Sequence, residues 1–317
     1  MGAPRELVVP PDEDGARLET FLRRRLGWPR ELALKALRKG WVRVDGGRAR
    51  GERRLARGER VRVTNYGLPF PEAGRPAPAE PAAPGPPQAA RAAAESLRHA
   101  DEELLVSAKP AGAVVHKGSG HAWGWADALA LVPGGEPGFP PTPAGRLDRD
   151  TSGLLALARG RGAARALFEQ LRARELTRTY QALVQGALPG EEGTIELALT
   201  RREGGRARMV ADPEGDAART RWRLVRRLGP ASLLALELDT GRTHQIRAQL
   251  AALGHPLLGD PRYGTPAARE LSRRIGLETL FLHAGELRLR HPRTGEALRF
   301  EESLPPALAA ALARLRS

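Results

Sequence analysis

One short segment of this chain, GRLDRDTSG at residues 145–153, alternates positive and negative side chains. Its charged residues are Arg146, Asp148, Arg149 and Asp150. The segment runs directly into LLALA, an apolar run typical of a buried strand. Two interpretations follow from the residues alone. Either this is a charged surface turn in which Asp148 bonds the backbone, or it is a loop that presents Asp148 as a catalytic carboxylate, a nucleophile or a general base.

A second polar cluster, DTGRTHQIRAQ at residues 239–249, follows a strand-like run and leads into a predicted helix. It places Arg247 in the first turns of that helix, where a guanidinium is suited to pairing with a carboxylate. Tyr180 ends LTRTY, just before the strand-like QALVQG. Taken alone, Arg247 could be a surface charge and Tyr180 a core residue. His244 and His283 are interpreted as structural.

Other kinds of chemistry lack a matching pattern in the sequence. The chain has no cysteine, its seven histidines are scattered without a His-x-x-x-His pair, and no glycine-rich phosphate loop follows a predicted strand. Thiol catalysis and disulfides are therefore excluded. We expect neither a metal nor a cofactor.

The charge distribution indicates a polyanionic partner. The net charge is +14, and residues 15–66 hold 16 Lys and Arg against 5 Asp and Glu, a balance of +11. Such a concentration favours nucleic-acid binding, although a compositional bias toward Arg, Ala, Gly and Pro is the alternative. The N-terminus does not resemble a signal peptide, and no apolar run reaches membrane-spanning length. These features predict a cytoplasmic protein with no membrane partner.

Three regions separate along the chain. Residues 15–66 form a basic module of two amphipathic helices and a hairpin, with Leu18, Phe21, Leu22 and Leu26 on one face of the first helix. Residues 67–99 are a predicted linker rich in Pro and Ala, which can continue as a short Ala-rich helix toward residue 99. Residues 100–317 contain more strand-like than helical runs without regular alternation, which predicts an α+β domain around a mixed or antiparallel sheet. The candidate RNA-binding residues of the module are Arg23, Arg24, Arg30, Lys35, Arg38 and Lys39.

Both folded regions resemble known families. The basic module, with its G-x-V-x-V-D-G-like hairpin, resembles the S4-like RNA-binding domain. In order, LLVSAKPAGAVVHKGSG, GRLDRDTSGLLALAR, TRTYQALVQG, LDTGRTHQIRAQLAALGHPLLGDPRYG and FLHAGELRLRHPRTGE resemble the motifs of the RluA family of RNA pseudouridine synthases. The resemblance covers residues 102–308. It implies a pseudouridine synthase fold and the isomerisation of uridine, which breaks the N1–C1′ bond, turns the base and rejoins it through C5.

The resemblance also assigns roles to residues. Asp148 is the expected catalytic aspartate, Arg247 its ion-pair partner, and Tyr180 the aromatic that stacks on uracil and helps to remove the C5 proton. Arg146 is expected to fill the gap left by the flipped base, which costs ~a few kcal/mol to unstack. The expected partner is large-subunit (23S) ribosomal RNA or its precursor, bound by a monomer. Transfer RNA as substrate and a non-catalytic RNA-binding or ribosome-assembly factor are the alternatives.

The chain departs from the RluA pattern at one position in the catalytic loop. The family usually has His before R-L-D, whereas this sequence has Gly145, as in the sister RsuA family. The catalytic groups named above do not include that His. The departure therefore concerns the contacts of the loop.

Overall fold

The computed structural model describes residues 5–26, 28, 30–64, 87–116, 123–202 and 208–315. The chain divides into two compact units, the N-terminal unit (Met1–Ala83) and the C-terminal unit (Pro84–Ser317). Across the described residues, no helix combines the length and the apolar character needed to cross a membrane.

The N-terminal unit packs two helices on an antiparallel sheet. Its elements are β1 (Arg5–Val8), a 3₁₀ turn (Pro11–Glu13), α1 (Leu18–Leu26), α2 (Arg30–Arg38), β2 (Val42–Val44), β3 (Gly47–Arg48) and β4 (Arg60–Val63). The strand order is β1-β4-β2-β3. The apolar face predicted for α1 is buried against Val42, Val61 and Val63 of the sheet. Pro29, which directly precedes α2, lies outside the described residues.

Two details of this unit depend on backbone geometry. Asp45 and Gly46 both have left-handed φ angles, 46° and 81°, which a two-residue hairpin between β2 and β3 requires. The sheet also includes β1, whose Arg5 pairs with Val63 although it precedes the predicted start of the module at residue 15. A strand of four residues is too short for its alternation to stand out in a sequence.

The C-terminal unit is built around one large sheet. Its elements are α3 (Pro87–Glu95), β5 (Leu97–Ala100), β6 (Leu104–Lys109), α4 (Trp125–Leu129), β7 (Thr142–Pro143), β8 (Ser152–Ala158), α5 (Arg161–Ala173), β9 (Thr177–Gln185), β10 (Glu192–Glu196), β11 (Leu199–Arg202), β12 (Arg208–Ala211), β13 (Arg219–Leu228), β14 (Ala231–Leu238), α6 (Gln245–Ala252), α7 (Pro266–Arg274), β15 (Leu282–Arg290), β16 (Ala297–Glu301) and α8 (Pro306–Ala313). The strand order is β10-β13-β14-β9-β15-β8-β6-β5, with β16 also on β15 and β7 on β8. β15 and β8 are parallel, whereas β15 and β9 are antiparallel. The predicted α+β class with a mixed sheet is confirmed.

The end of the predicted linker folds with the C-terminal unit. α3 lies against α4, and Ala93 is fully buried in the same apolar cluster as Trp125. β5 then pairs with β6, with Ala100 opposite Leu105. The Ala-rich composition that suggests a linker also gives a helix with small side chains, which can pack closely. The rest of the predicted linker, residues 67–86, lies outside the described residues.

At the centre of the sheet, strands β8, β15 and β9 place residues that are far apart in the sequence side by side. Ala284 of β15 pairs with Gly153 at the start of β8 and, on its other side, with Tyr180 of β9. Gly153 has a φ of 113°, and a Cβ there would lie 2.3 Å from the Ala284 carbonyl oxygen, so the close approach requires glycine. The loop that precedes β8 is thereby positioned next to Tyr180.

Helix α6 is fixed to the sheet by two buried glutamines. The Gln245 amide donates to the Arg219 carbonyl at 3.0 Å, and the Gln249 amide donates to the Ala218 carbonyl at 2.9 Å. Thr220 of β13 joins both, because its hydroxyl donates to Gln249 and accepts from Gln245. Buried polar groups satisfied in this way fix one orientation of the helix, and with it the direction of Arg247.

Candidate active site

A buried lysine binds the backbone of the loop that carries Asp148. Lys109, at the end of β6, donates to the carbonyls of Arg149 at 3.0 Å and of Pro110 and Ala113, both at 2.8 Å. Burial lowers the pKa of Lys109 to about 7, although the charges of Asp150 and Asp148 oppose this. Three carbonyl acceptors match the three hydrogens of an ammonium group. Lys109 therefore fixes the position of the loop relative to the end of β6.

Arg247 connects two carboxylates. Its Nη1 donates to Asp148 Oδ2 at 3.1 Å, while its Nε and Nη2 donate to the two oxygens of Asp260 at 2.8 and 2.9 Å. Burial lowers the pKa of Arg247, but the hydrogen bonds and charge of Asp260, helped by Asp148, outweigh it and raise that pKa. The pairing of Asp148 with Arg247 therefore appears in the structure as the sequence predicts, with Asp260 as a further partner.

Asp260 is a fully buried carboxylate that sequence reasoning missed. Its Oδ1 also accepts from the backbone N–H groups of Arg262 and Tyr263, at 2.8 and 3.0 Å. Burial raises the pKa of Asp260, but the hydrogen bonds from Arg247 and these N–H groups outweigh it and lower that pKa. The bidentate pair with Asp260 directs Nη1 of Arg247 toward Asp148. The only sequence signal is its place in LLGDPRYG, within a motif already matched to the family.

Tyr180 lies in the same cleft as Asp148. It is buried on β9, and this burial raises the pKa of its phenol, although the nearby charge of Arg178 opposes the shift. The phenol therefore stays protonated near neutral pH. A buried, protonated phenol fits a side chain that stacks on the base. It is unfavourable for a base that removes the C5 proton unaided.

Gly145 and Arg178 explain how the loop begins. Gly145 has a left-handed φ of 86°, and a Cβ at this position would lie 3.1 Å from Nη1 of Arg178. Arg178 donates through Nη2 to the carbonyl of Ala144. The guanidinium of Arg178 thus packs against the glycine, in the space that a side chain at residue 145 would enter.

The other three charges of the loop are not bound by Arg247. Arg146 is exposed and lines the cleft. Arg149 and Asp150 pair with each other, with Nε to Oδ1 at 2.9 Å and Nη2 to Oδ2 at 3.3 Å. Of the four charges in this loop, Asp148 is the one held by Arg247.

The cleft around Asp148 has a volume of about 930 Å³ and a strongly basic wall. Arginines from separate elements line it, among them Arg172, Arg174, Arg201, Arg208, Arg221 and Arg242. Sequence reasoning missed this surface because its charges are far apart along the chain. Such a wall is suited to phosphate groups, since Arg binds them with two parallel hydrogen bonds.

The candidate RNA-binding residues of the N-terminal unit lie on its helices. Arg23 and Arg24 are exposed in the last turn of α1, and Lys35, Arg38 and Lys39 are exposed at the end of α2. Arg30 is the first residue of α2, and its side chain lies outside the described part of the structure. Their role in binding RNA stays a prediction.

Three side chains of metal-binding type meet elsewhere in the C-terminal unit. The Nε2 atoms of His99 and His291 lie 2.6 and 2.9 Å from Oδ2 of Asp101. Nδ1 of His291 accepts from the backbone N–H of Thr294 at 3.1 Å, so the ring hydrogen is on Nε2. Binding a metal through Nε2 would force that hydrogen onto Nδ1, against a backbone donor. The cluster fits a hydrogen-bond hub, and the expectation of no metal stays a prediction.

Comparisons with known proteins agree on one family. The model of the family described as RNA pseudouridylate synthase matches residues 103–252. The ribosomal large subunit pseudouridine synthase C of Escherichia coli K12 is 37% identical, over 98% of this chain and 96% of its own length. The protein of the same name from Haemophilus influenzae is 36% identical, over 98% of this chain and 94% of its own.

Solved structures show the same likeness in three dimensions. The human protein RNA Pseudouridylate Synthase Domain Containing 4 superposes with a TM-score of 0.59 and 25% identity, covering 72% of this chain and 95% of its own. The human RNA Pseudouridylate Synthase Domain Containing 1 gives a TM-score of 0.55 and 27% identity, over 70% of this chain and 94% of its own.

Proposed function

The chain belongs to the RNA pseudouridylate synthase family, and we propose that it converts uridines of large-subunit ribosomal RNA to pseudouridine. Membership confirms the resemblance that the sequence motifs indicate. The choice of RNA rests on the relatives named ribosomal large subunit pseudouridine synthase C, which match nearly the whole chain. The observation that carries the chemistry is the Asp148–Arg247 pair inside a cleft lined by arginines.

In the proposed mechanism, Asp148 acts on the ribose of the flipped uridine. As a carboxylate it either attacks C1′ or takes a proton from the sugar while the N1–C1′ bond breaks. Arg247 binds Oδ2 of Asp148 through Nη1, while its Nε and Nη2 are bound to Asp260. This arrangement fixes the direction of the carboxylate. The steps use side chains of this chain, with no metal or cofactor.

Tyr180 and Arg146 are proposed to handle the RNA around the target base. The buried ring of Tyr180 stacks on uracil, and its protonated phenol can donate a hydrogen bond. Arg146, exposed at the cleft, fills the position that the flipped base vacates. Phosphates on either side meet the arginines of the cleft wall.

The N-terminal unit is proposed to increase the local concentration of RNA. The exposed residues Arg23, Arg24, Lys35, Arg38 and Lys39 bind phosphates without reading sequence, while the C-terminal unit selects and isomerises a uridine. We further propose that the protein works as a monomer in the cytoplasm, where ribosomal RNA and its precursors are available.

Pseudouridine mapping tests this function. Ribosomal and transfer RNA from cells lacking the gene are sequenced for pseudouridine, before and after complementation with the wild-type chain or with Asp148→Asn. We expect at least one site in large-subunit ribosomal RNA that disappears with the gene and returns only with the wild-type chain. Sites lost from transfer RNA alone would make that RNA the substrate. An unchanged map in both RNAs would favour the non-catalytic alternative.

A further inference from the structure

His244 holds an unusual backbone conformation next to the catalytic carboxylate. It precedes α6 with a left-handed φ of 53°, and its carbonyl accepts the N–H of Ala248 at 2.9 Å. Residues other than glycine seldom adopt this region, and those that do cluster at functional sites. The side chain lines the cleft together with Asp148 and Tyr180. The sequence interpretation of His244 as structural is therefore incomplete.

The two ring nitrogens of His244 face different partners, Tyr263 and Asp148. The hydroxyl oxygen of Tyr263 accepts from the backbone N–H of Met209 at 3.0 Å and lies 3.1 Å from Nδ1 of His244. The negative charge of Asp148 favours a ring hydrogen on Nε2, which lies 3.9 Å from Oδ2 of Asp148. Nδ1 is then an acceptor, and we assign the Tyr263 hydroxyl as its donor.

This Nε2–H is a donor without a committed acceptor at Asp148. A separation of 3.9 Å exceeds hydrogen-bond length, so the N–H is close to the carboxylate without being bound to it. Burial lowers the pKa of His244, although the charge of Asp148 opposes this, so the ring is neutral near pH 7. His244 thus presents a neutral, oriented N–H to the space beside Asp148.

We propose that His244 is a catalytic residue whose Nε2–H stabilises the uracil anion as the base leaves C1′. The inference rests on the proposed function. When the N1–C1′ bond breaks, its electron pair goes to the base and spreads over N1 and the carbonyl oxygens. At the same time C1′ bonds to Asp148, or the sugar gives Asp148 a proton. C5 later bonds to C1′ while the C1′–Asp148 bond breaks, or while Asp148 returns its proton to the sugar. The C5 proton then passes to solvent and N1 takes up a proton, so that the product is an isomer of uridine.

In this scheme His244 neither gains nor loses a proton. Its hydrogen bond strengthens as negative charge develops on the base, which is how fixed donors in a cleft lower a barrier. Tyr263 is a positioning residue, since it fixes the tautomer and the ring direction. The guanidinium of Arg247 lies 5.3 Å from the centre of the Tyr263 ring, so the same tyrosine also packs against the partner of Asp148.

The first experiment separates binding from chemistry. Tritium release from C5 of uridine is measured with a ribosomal RNA transcript that the wild-type enzyme modifies. His244→Asn keeps a residue that tolerates the left-handed conformation but has a shorter side chain. We expect kcat to fall on the order of 10²-fold with KM within about threefold. His244→Gln, which restores an N–H donor of greater reach, should recover part of the rate.

A double-mutant cycle tests the link to Tyr263. Tyr263→Phe removes the hydroxyl and should lower kcat by about tenfold. If Tyr263 acts through His244, the variant carrying both Tyr263→Phe and His244→Asn should be no slower than His244→Asn alone. Additive losses would remove Tyr263 from this role. Thermal melting of each variant identifies losses that come from unfolding.

The leaving group itself provides the sharpest test. A transcript with 5-fluorouridine at the target position carries a base whose anion is stabilised by fluorine. C5 of this base carries no hydrogen to release, so its reaction is followed as the loss of 5-fluorouridine by mass spectrometry of digested RNA. That loss should be slowed several-fold less by His244→Asn than the loss of uridine from the uridine transcript. Equal slowing of both transcripts, or full activity of His244→Asn on uridine, would overturn the proposal. A wild-type enzyme inactive on the ribosomal transcript would instead contradict the proposed function.

Discussion

Arginine is abundant in both units of this protein, but the two units hold it differently. In the N-terminal unit, Arg23 and Arg24 are exposed on a helix within a segment of net charge +11. In the C-terminal unit, Arg247 is 3% exposed and is bound by two carboxylates. Exposed charges attract a phosphate backbone from many directions. A buried guanidinium directs one carboxylate. Removing the exposed charges of the N-terminal unit should therefore affect affinity, whereas changes around Arg247 should affect turnover.

The largest effect is expected at Asp148. Asp148→Asn should lower kcat by at least ~10³-fold, because an amide can neither attack C1′ nor take a proton. RNA affinity should stay within about threefold, since binding depends mainly on arginines. Tritium release and filter binding measure the two quantities.

Asp150→Asn is the matched control for that change. It alters the same loop by the same chemistry, but Asp150 pairs outward with Arg149. We expect nearly wild-type turnover from this variant. A loss as large as that of Asp148→Asn would mean that the charge of the loop matters, and not one specific carboxylate.

The sequence predicts the carboxylate and its first partner, but not how they are held. Asp148 and Arg247 stand in local motifs, and the α+β class follows from the pattern of strands and helices. Asp260 and His244 become important only through burial and through contacts with residues far along the chain. The sequence predicts a short Ala-rich helix before residue 99, but not that α3 packs against α4, because that contact joins segments far apart along the chain.

The next largest effect is expected at Asp260. Asp260→Asn leaves the buried Arg247 without its bidentate partner, which should cost about 3–5 kcal/mol in the free energy of unfolding. Turnover should fall as well, because Arg247 is then free to turn toward Asp148 with more than one donor. Urea unfolding and tritium release measure these changes.

An exposed ion pair offers the comparison for Asp260. Glu301→Gln removes a carboxylate that is 64% exposed and pairs with Arg299. A surface pair of this kind is worth about 0–1 kcal/mol, so both stability and turnover should change little. Equal destabilisation by the two variants would show that the burial of Asp260 is not what makes its pair important.

The buried lysine under the loop predicts a dependence of stability on pH. The pKa of Lys109 is about 7 in the folded chain, well below its value in an unfolded one. Between these two values the unfolded state binds more protons, so the free energy of unfolding should rise with pH from about 7 to about 10, by at most ~1.4 kcal/mol per pH unit. Lys109→Met should flatten that rise, whereas Lys35→Met, at an exposed position, should leave it unchanged. Parallel curves for Lys109→Met and the wild type would contradict the prediction.

The smallest effect is expected in the N-terminal unit. Replacing Arg23, Arg24 and Lys35 together by Gln should weaken RNA binding by about tenfold, and should lower the salt dependence by about one counterion for each phosphate that the variant no longer binds. kcat at saturating RNA should not change, because these charges act before the chemical step.

Helix α7 supplies a matched set of charges for this last comparison. Arg269, Arg273 and Arg274 are exposed in the C-terminal unit, outside the lining of the cleft. Replacing these three by Gln removes the same net charge and should leave both affinity and salt dependence nearly unchanged. If this set weakened binding as much as the N-terminal set, overall charge would govern affinity. The exposed arginines of α1 would then have no special role in binding RNA. The proposal that the N-terminal unit supplies affinity would be wrong, whereas the role of Asp148 in turnover would still be tested by its own variant.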